Sequence, residues 1–270
     1  MSTAKNEAEL RQICEAVQVI SMRVGEFIRQ ERKKFRLADV ESKGAGNLVS
    51  YVDKQAEKMF VEALRTILPE AGFIAEEDNQ LQRGEKYNWV IDPLDGTTNF
   101  IHGVPCFATS VGLMQEEHVV AGVIYEINLD ECFYAWKNGG AWLNGERIHV
   151  SKTEKLQEAL LGTGFPYNDS GVHEKYIRLF SDLQQKTRGL RRPGSAATDI
   201  AWVAAGRFDA FYEYGLHAWD MAAGVILVQE AGGLVTDFAG EENFMKNSRI
   251  ICSNKQIHAE LLGKIQEYFK

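Results

Sequence analysis

The chain has 270 residues, with 30 Lys and Arg against 38 Asp and Glu, a formal net charge of −8. Its 45% hydrophobic, 10% aromatic and 25% charged residues, with only 5 Pro, exclude a disordered or collagen-like protein. The length allows one large domain or two intimately packed ones that fold without disulfides or a structural metal, and the acidic field disfavours nucleic acid and anionic membranes.

Cys14, Cys106, Cys132 and Cys252 are scattered and form no C-x-x-C pair, so a reducing cytoplasm fits better than a disulfide framework or a zinc site. The polar start, Met1 to Leu10, lacks the apolar core of a secretory signal. The longest apolar run, Met221 to Val228, falls far short of the ~20 residues that span a bilayer. A soluble, cytoplasmic protein is expected.

Leu10, Ile13, Cys14, Val17, Ile20, Val24, Phe27 and Ile28 recur at helical spacing and predict a long first helix. Extended stretches follow at Phe35 to Val40 and Asn47 to Val52, around a turn at Gly44 to Gly46. Asp53 stands where an N-cap belongs, ahead of a second helix stripe, Ala56 to Ile67, that Pro69 ends. From Gly72 the texture changes to short strands: Phe73-Ile74, Trp89 to Ile91, Phe107 to Leu113, then a pair at Val119 to Tyr125 and Glu131 to Trp136 before the turn Asn138-Gly139-Gly140. The second half alternates. Strands are expected at Leu160 to Gly164, Ala210 to Tyr214, Leu234 to Asp237 and Arg249 to Cys252, with helices at Tyr176 to Gln185, Ser195 to Ala205, Met221 to Glu230 and Ile257 to Phe269. This is a mixed α/β plan whose halves, 1–155 and 156–270, meet near Leu156 with no flexible tether and so pack rigidly as one unit.

The chemistry concentrates at Trp89 to Phe100. An apolar strand runs into Asp92, and Pro93, which has no N–H, directs the chain out of the sheet. Asp95-Gly96 turns, and Thr97-Thr98-Asn99 opens a helix. Two carboxylates beside free helix-start amides suit a divalent cation plus a phosphate; a simple capped turn is the alternative. Glu76-Glu77 at a strand end, Asp220 before a small-residue helix and Asp53 at another helix start each have bland readings as a surface loop or cap. Together, at loops that converge in α/β folds, they point to a metal cluster.

The window W-V-I-D-P-L-D-G-T-T-N-F resembles the first signature of the inositol monophosphatase family, and Trp219-Asp220-Met221-Ala222-Ala223-Gly224 with Glu230-Ala231-Gly232-Gly233 resembles its second. The resemblance spans nearly the whole chain. It implies the sugar-phosphatase fold, a layered αβαβα sandwich of mixed sheets and helices with the site between its halves, assembled as a homodimer. It implies two or three Mg²⁺ per subunit: one on Glu76, Asp92 and the Leu94 carbonyl, a second on Asp92, Asp95 and Asp220, and a weaker third leaning on Glu76. It also implies that Thr97, paired with Asp53, orients and helps to deprotonate the attacking water, with Glu76 as the alternative base. Gly96 and Thr97 amides would bind phosphate, while Gly194, Ser195, Ala196 and Glu213 would bind a polyol.

The activity so implied is Mg²⁺-dependent hydrolysis of a phosphate monoester, foremost myo-inositol monophosphate. Fructose 1,6-bisphosphate, adenosine 3′,5′-bisphosphate and histidinol phosphate are the alternatives. A regulatory protein bound to the transcription machinery is a different class, which the net charge and complete ligand set disfavour. Aspartyl-phosphate chemistry is excluded, because its D-x-D-x-T motif does not match the Asp92 to Asp95 spacing. Two features qualify the resemblance: Ala75 stands where the family commonly has Gly, and Lys43 lies only near the position of the family's active-site lysine. His217 reads as a packed structural residue. Arg191-Arg192 fits a solvated pair, a dimer contact or an anion sensor equally.

Overall fold

The computed structural model describes residues 5–36, 40–44, 47–78, 80–166 and 170–269, with only the backbone course for 40–44, 47–49 and 170. Helix α1 (Glu7–Arg32) follows the predicted stripe, starting at a capping box in which Asn6 and Glu9 exchange hydrogen bonds. Strands β1 (Val40–Gly44) and β2 (Asn47–Ser50) form a two-stranded sheet, and helix α2 (Tyr51–Ile67) follows at once. The first expected stretch, Phe35 to Val40, meets a strand only at Val40: Phe35 and Arg36 are in no strand, and 37–39 lie outside the described residues. Strand β1 runs on to Gly44, where the turn was expected, with 45–46 outside the described residues; the second stretch ends early, because Val52 is already helical.

Seven strands build the large sheet: β3 (Gly72–Ala75), β4 (Tyr87–Asp95), β5 (Ala108–Gln115), β6 (His118–Glu126), β7 (Glu131–Trp136), β8 (Gly140–Leu143) and β9 (Glu146–Ile148), in that spatial order. Helix α3 (Thr97–His102) interrupts the series between β4 and β5. After a 3₁₀ turn at Leu156–Glu158 come β10 (Leu160–Thr163), α4 (Ser170–Lys186), β11 (Gly189–Arg191), α5 (Ala196–Ala204), β12 (Ala210–Tyr214), α6 (Ala218–Glu230), β13 (Leu234–Thr236), α7 (Phe244–Asn247), β14 (Arg249–Ser253) and α8 (Lys255–Gln266). The second sheet runs β11-β10-β12-β14-β13.

Five layers result, as the sequence resemblance implied. Helices α1 and α2 cover one face of the large sheet, burying Val17, Val24, Phe60 and Leu64 against Trp89, Leu113 and Val123. Helices α5 and α6 fill the space between the sheets, and α4 with α8 covers the outer face of the smaller one through Tyr176, Leu179, Leu261 and Ile265. Small residues let α6 lie close to the large sheet. A Cβ at Gly122 would meet the Ala223 carbonyl at 2.7 Å, and one at Gly112 would meet Ala222 Cβ at 2.9 Å. Gly112 and Gly122 opposite Ala222 and Ala223 thus let the start of α6, and Asp220 with it, lie close against β5 and β6, while Gly224 faces Ile200 of α5. Among the described residues no helix is long and apolar enough to cross a membrane.

Three local expectations are corrected. Asp53 and Asp220 are not N-caps: Ser50 and His217 hold those positions, and each acid stands at the third helical residue, where its carboxylate accepts the cap residue's own N–H. Helix α6 accordingly starts at Ala218, before Met221. Pro93 does not end β4; the ladder to β5 skips from Asp92↔Ser110 to Asp95↔Ala108, so a bulge absorbs the missing donor and the strand resumes.

Candidate active site

Strands β3 and β4 run parallel with Ala75 opposite Ile91, so Glu76, the first residue beyond β3, emerges beside Asp92, which stays in the ladder to β5. The bulge after Asp92 turns Leu94 inward and brings Asp95 back into register. Gly96 then caps α3 at φ 90°, a left-handed conformation; a Cβ there would stand 3.0 Å from the Cys106 carbonyl and 3.2 Å from that of Gly194, so the turn requires glycine.

Asp92, Asp95 and Asp220 each offer a carboxylate oxygen, and the three lie within 4.8 Å of one another. Asp92 is 2% exposed. Burial pushes its carboxyl well above the ordinary range, and the charges of Glu76, Asp95 and Asp220 push it further. Asp220 is pushed up to about 7 by burial and then by Asp95, against the His217 N–H and a hydrogen bond with Asp92. Burial raises Asp95 too, opposed by donors at the start of α5: Ser195 Oγ at 2.5 Å and the Ala197 N–H at 2.7 Å, both on Oδ2. Three desolvated acids this close repel one another as anions. A divalent cation among hard oxygen donors removes that cost, so the donor set fits Mg²⁺.

One solution test follows from the sign of these shifts. An acid whose folded pKa is about 7 against an ordinary 3.8 stabilises the metal-free fold fully below about pH 4, and that contribution is lost as pH rises through about 7. In EDTA, Asp220→Asn should flatten the decline in melting temperature between pH 4 and 8 by several degrees. Parallel pH profiles for wild type and variant would contradict the clustered acids.

Beside the acids, Thr97 Oγ1 lies 2.9 Å from Asp53 Oδ1 and 3.0 Å from the Leu94 carbonyl. Asp53 is held from its other side, where Ser50 N–H and Oγ donate to Oδ2 at 2.9 and 2.6 Å. Burial still raises the Asp53 carboxyl against these hydrogen bonds. Ser195 caps α5, and Gly194 before it adopts φ 102°. Glu213, on β12 and 7% exposed, packs its carboxylate against Gly164; burial, then the charge of Asp220, raises it, with Arg192 offsetting. The structure thus gathers Asp53, Asp92, Leu94, Asp95, Gly96, Thr97, Gly194, Ser195, Ala196 and Asp220 at one junction of β4, α2, α3, α5 and α6. Glu76 and Glu213 face it through their electrostatic contact with Asp92 and Asp220. His217 stacks on Trp219 at 4.6 Å but is exposed, so it is not a core residue. The side chain of Lys43 lies outside the described residues.

Ser50 and Asn99 also support the site. Ser50 was legible in hindsight, because S-x-x-D before a helix stripe is a capping-box pattern. Asn99, whose Nδ2 donates to the carbonyls of Cys106 at 2.7 Å and Pro193 at 2.8 Å, ties the α3 turn to the segment before α5; nothing local signals that role.

Residues 9–270 match the model of the inositol monophosphatase family. The chain belongs to that family. It is 44% identical to the Pseudomonas aeruginosa protein named Nus factor SuhB, covering 90% of this chain and 92% of that one. It is 39% identical to the inositol-1-monophosphatase of Rhizobium meliloti, covering 90% and 92%. The crystal structure of the extragenic suppressor protein SuhB from Bartonella henselae superposes with a TM-score of 0.91 at 36% identity, over 95% of this chain and 99% of that one. The family is one of phosphatases with this α/β fold, which agrees with the layers described above.

Proposed function

We propose that this chain is a Mg²⁺-dependent phosphoric monoester hydrolase with myo-inositol monophosphate as its foremost substrate. The observation that carries the reading is the convergence of Asp92, Asp95 and Asp220 next to the Thr97–Asp53 pair. Glu76, Asp92, the Leu94 carbonyl, Asp95 and Asp220 would hold two Mg²⁺, with a third leaning on Glu76. When bound, Mg²⁺ supplies a Lewis acid that offsets phosphate charge and steadies the attacking and leaving oxygens.

The remaining work falls to the chain itself. With its hydroxyl proton directed at Asp53, Thr97 turns a lone pair toward the site and can take a proton from the attacking water while passing its own to Asp53. The raised proton affinity of Asp53 favours that transfer. Glu76 is the alternative base. Gly96 and Thr97 amides, at the start of α3, donate to phosphate oxygens. Gly194, Ser195 and Ala196 line the substrate's other end, and Glu213 accepts hydrogen bonds from vicinal hydroxyls.

The halves 1–155 and 156–270 act in this reading as one unit, because α5 and α6 contact both sheets. A homodimer in a reducing cytoplasm belongs to the same proposal; four free, buried cysteines support the compartment. Glu213→Ala tests the polyol subsite: KM for inositol monophosphate should rise about tenfold more than KM for p-nitrophenyl phosphate, which has no vicinal hydroxyls. Equal changes for both esters would contradict it. The name of the Pseudomonas relative favours a second reading, a regulatory role with the transcription machinery. Capture of a transcription complex together with no Mg²⁺-dependent phosphate release would put that reading first.

A further inference from the structure

We propose that Glu57 is a positioning residue that clamps the loop carrying Glu76 and so sets the affinity for the Mg²⁺ that Glu76 would hold; this rests on the phosphatase reading above. Glu57 is 3% exposed in the second turn of α2. Its Oε2 accepts the Glu77 N–H at 2.8 Å and its Oε1 the Asp78 N–H at 2.9 Å. Both carboxylate oxygens are thus committed to consecutive amides of the segment that begins at Glu76. That segment has just left β3, whose last ladder pair is Ala75↔Ile91, so beyond Ala75 the sheet no longer fixes its course.

Glu57 follows Asp53 by four residues, which places both acids on one face of α2. From that face Asp53 reaches Thr97 and Glu57 reaches 77–78, so a single rigid helix sets two separate site loops in register. A buried carboxylate is costly unless its oxygens are hydrogen-bonded, and here the loop amides satisfy both. The exchange is mutual: the helix acid is satisfied only when the loop sits where it presents Glu76 beside Asp92. Outer residues that orient a metal ligand typically contribute about ten- to a hundredfold in metal affinity.

Glu57→Gln preserves shape but replaces one acceptor with an NH₂ that faces an N–H. Three measurements on the full chain test the clamp: amide exchange at Glu77 and Asp78 in the metal-free protein, Mg²⁺ binding by calorimetry, and the Mg²⁺ dependence of phosphate release. The expected result is at least about tenfold faster exchange at both amides, a Mg²⁺ dissociation constant raised about ten- to a hundredfold, and kcat recovered to within about threefold at saturating Mg²⁺. Glu57→Asp keeps both acceptors on a shorter stem and should fall between; it carries the test if Glu57→Gln fails to fold. Unchanged Mg²⁺ affinity, whether exchange and melting temperature move or not, overturns the proposal. A wild-type protein that binds Mg²⁺ yet hydrolyses no phosphate ester overturns the phosphatase reading and leaves the clamp to be judged by exchange and calorimetry. Absence of Mg²⁺ binding in the wild type overturns both.

Discussion

Asp95→Asn is expected to lower phosphate release roughly a thousandfold, about 4 kcal/mol at the transition state, with the fold intact. The fold survives because asparagine still offers one oxygen to the donors that Asp95 Oδ2 now satisfies, Ser195 Oγ and the Ala197 N–H, so the start of α5 stays capped. What the variant lacks is the charge. Asp95 is one of three carboxylates within 4.8 Å, and removing one anion weakens the hold on a divalent cation while relieving repulsion in its absence. Melting of the metal-free variant should therefore match or exceed that of the wild type. Turnover within tenfold of wild type, in a variant that melts normally, would contradict the assignment of this acid.

Thr97→Val should lower kcat about a hundredfold or more with KM little changed, and Thr97→Ser should stay within about tenfold of wild type. Ser50 occupies Asp53 Oδ2 through both N–H and hydroxyl, which leaves Oδ1 to face Thr97 at 2.9 Å. Valine keeps the branched shape at the first position of α3 and removes only the hydroxyl that relays the proton. Equal losses in the serine and valine variants would show that packing, rather than the hydroxyl, is what the position requires. A loss confined to KM would assign Thr97 to binding alone.

Legibility from the sequence followed the range of the interactions. Helix α1 was readable because its apolar period is local, and the Asp92 to Thr97 window because proline, glycine and acids stand consecutively. The positions of Asp53 and Asp220 at helix starts were readable, and the S-x-x-D run marks Asp53 as a third residue behind Ser50, whereas nothing in the sequence marks His217 as the cap before Asp220. Continuation of β4 through Pro93 was hidden, since the bulge depends on pairing with Ala108 and Ser110 in the next strand. Glu57 lay unnoticed within an ordinary charged helix face, because its partners are main-chain amides about 20 positions away that carry no side-chain signature. The short strands β8, β9 and β11 were missed as well, for their pairing rather than their composition makes them strands.

Phosphate release from a panel of sugar, polyol and nucleotide monophosphates, each with Mg²⁺ and with EDTA, decides whether this chain is a Mg²⁺-dependent phosphatase. Hydrolysis should require Mg²⁺ and be fastest with inositol monophosphate. Release that persists in EDTA, or no release from any ester with Mg²⁺ present, would contradict it.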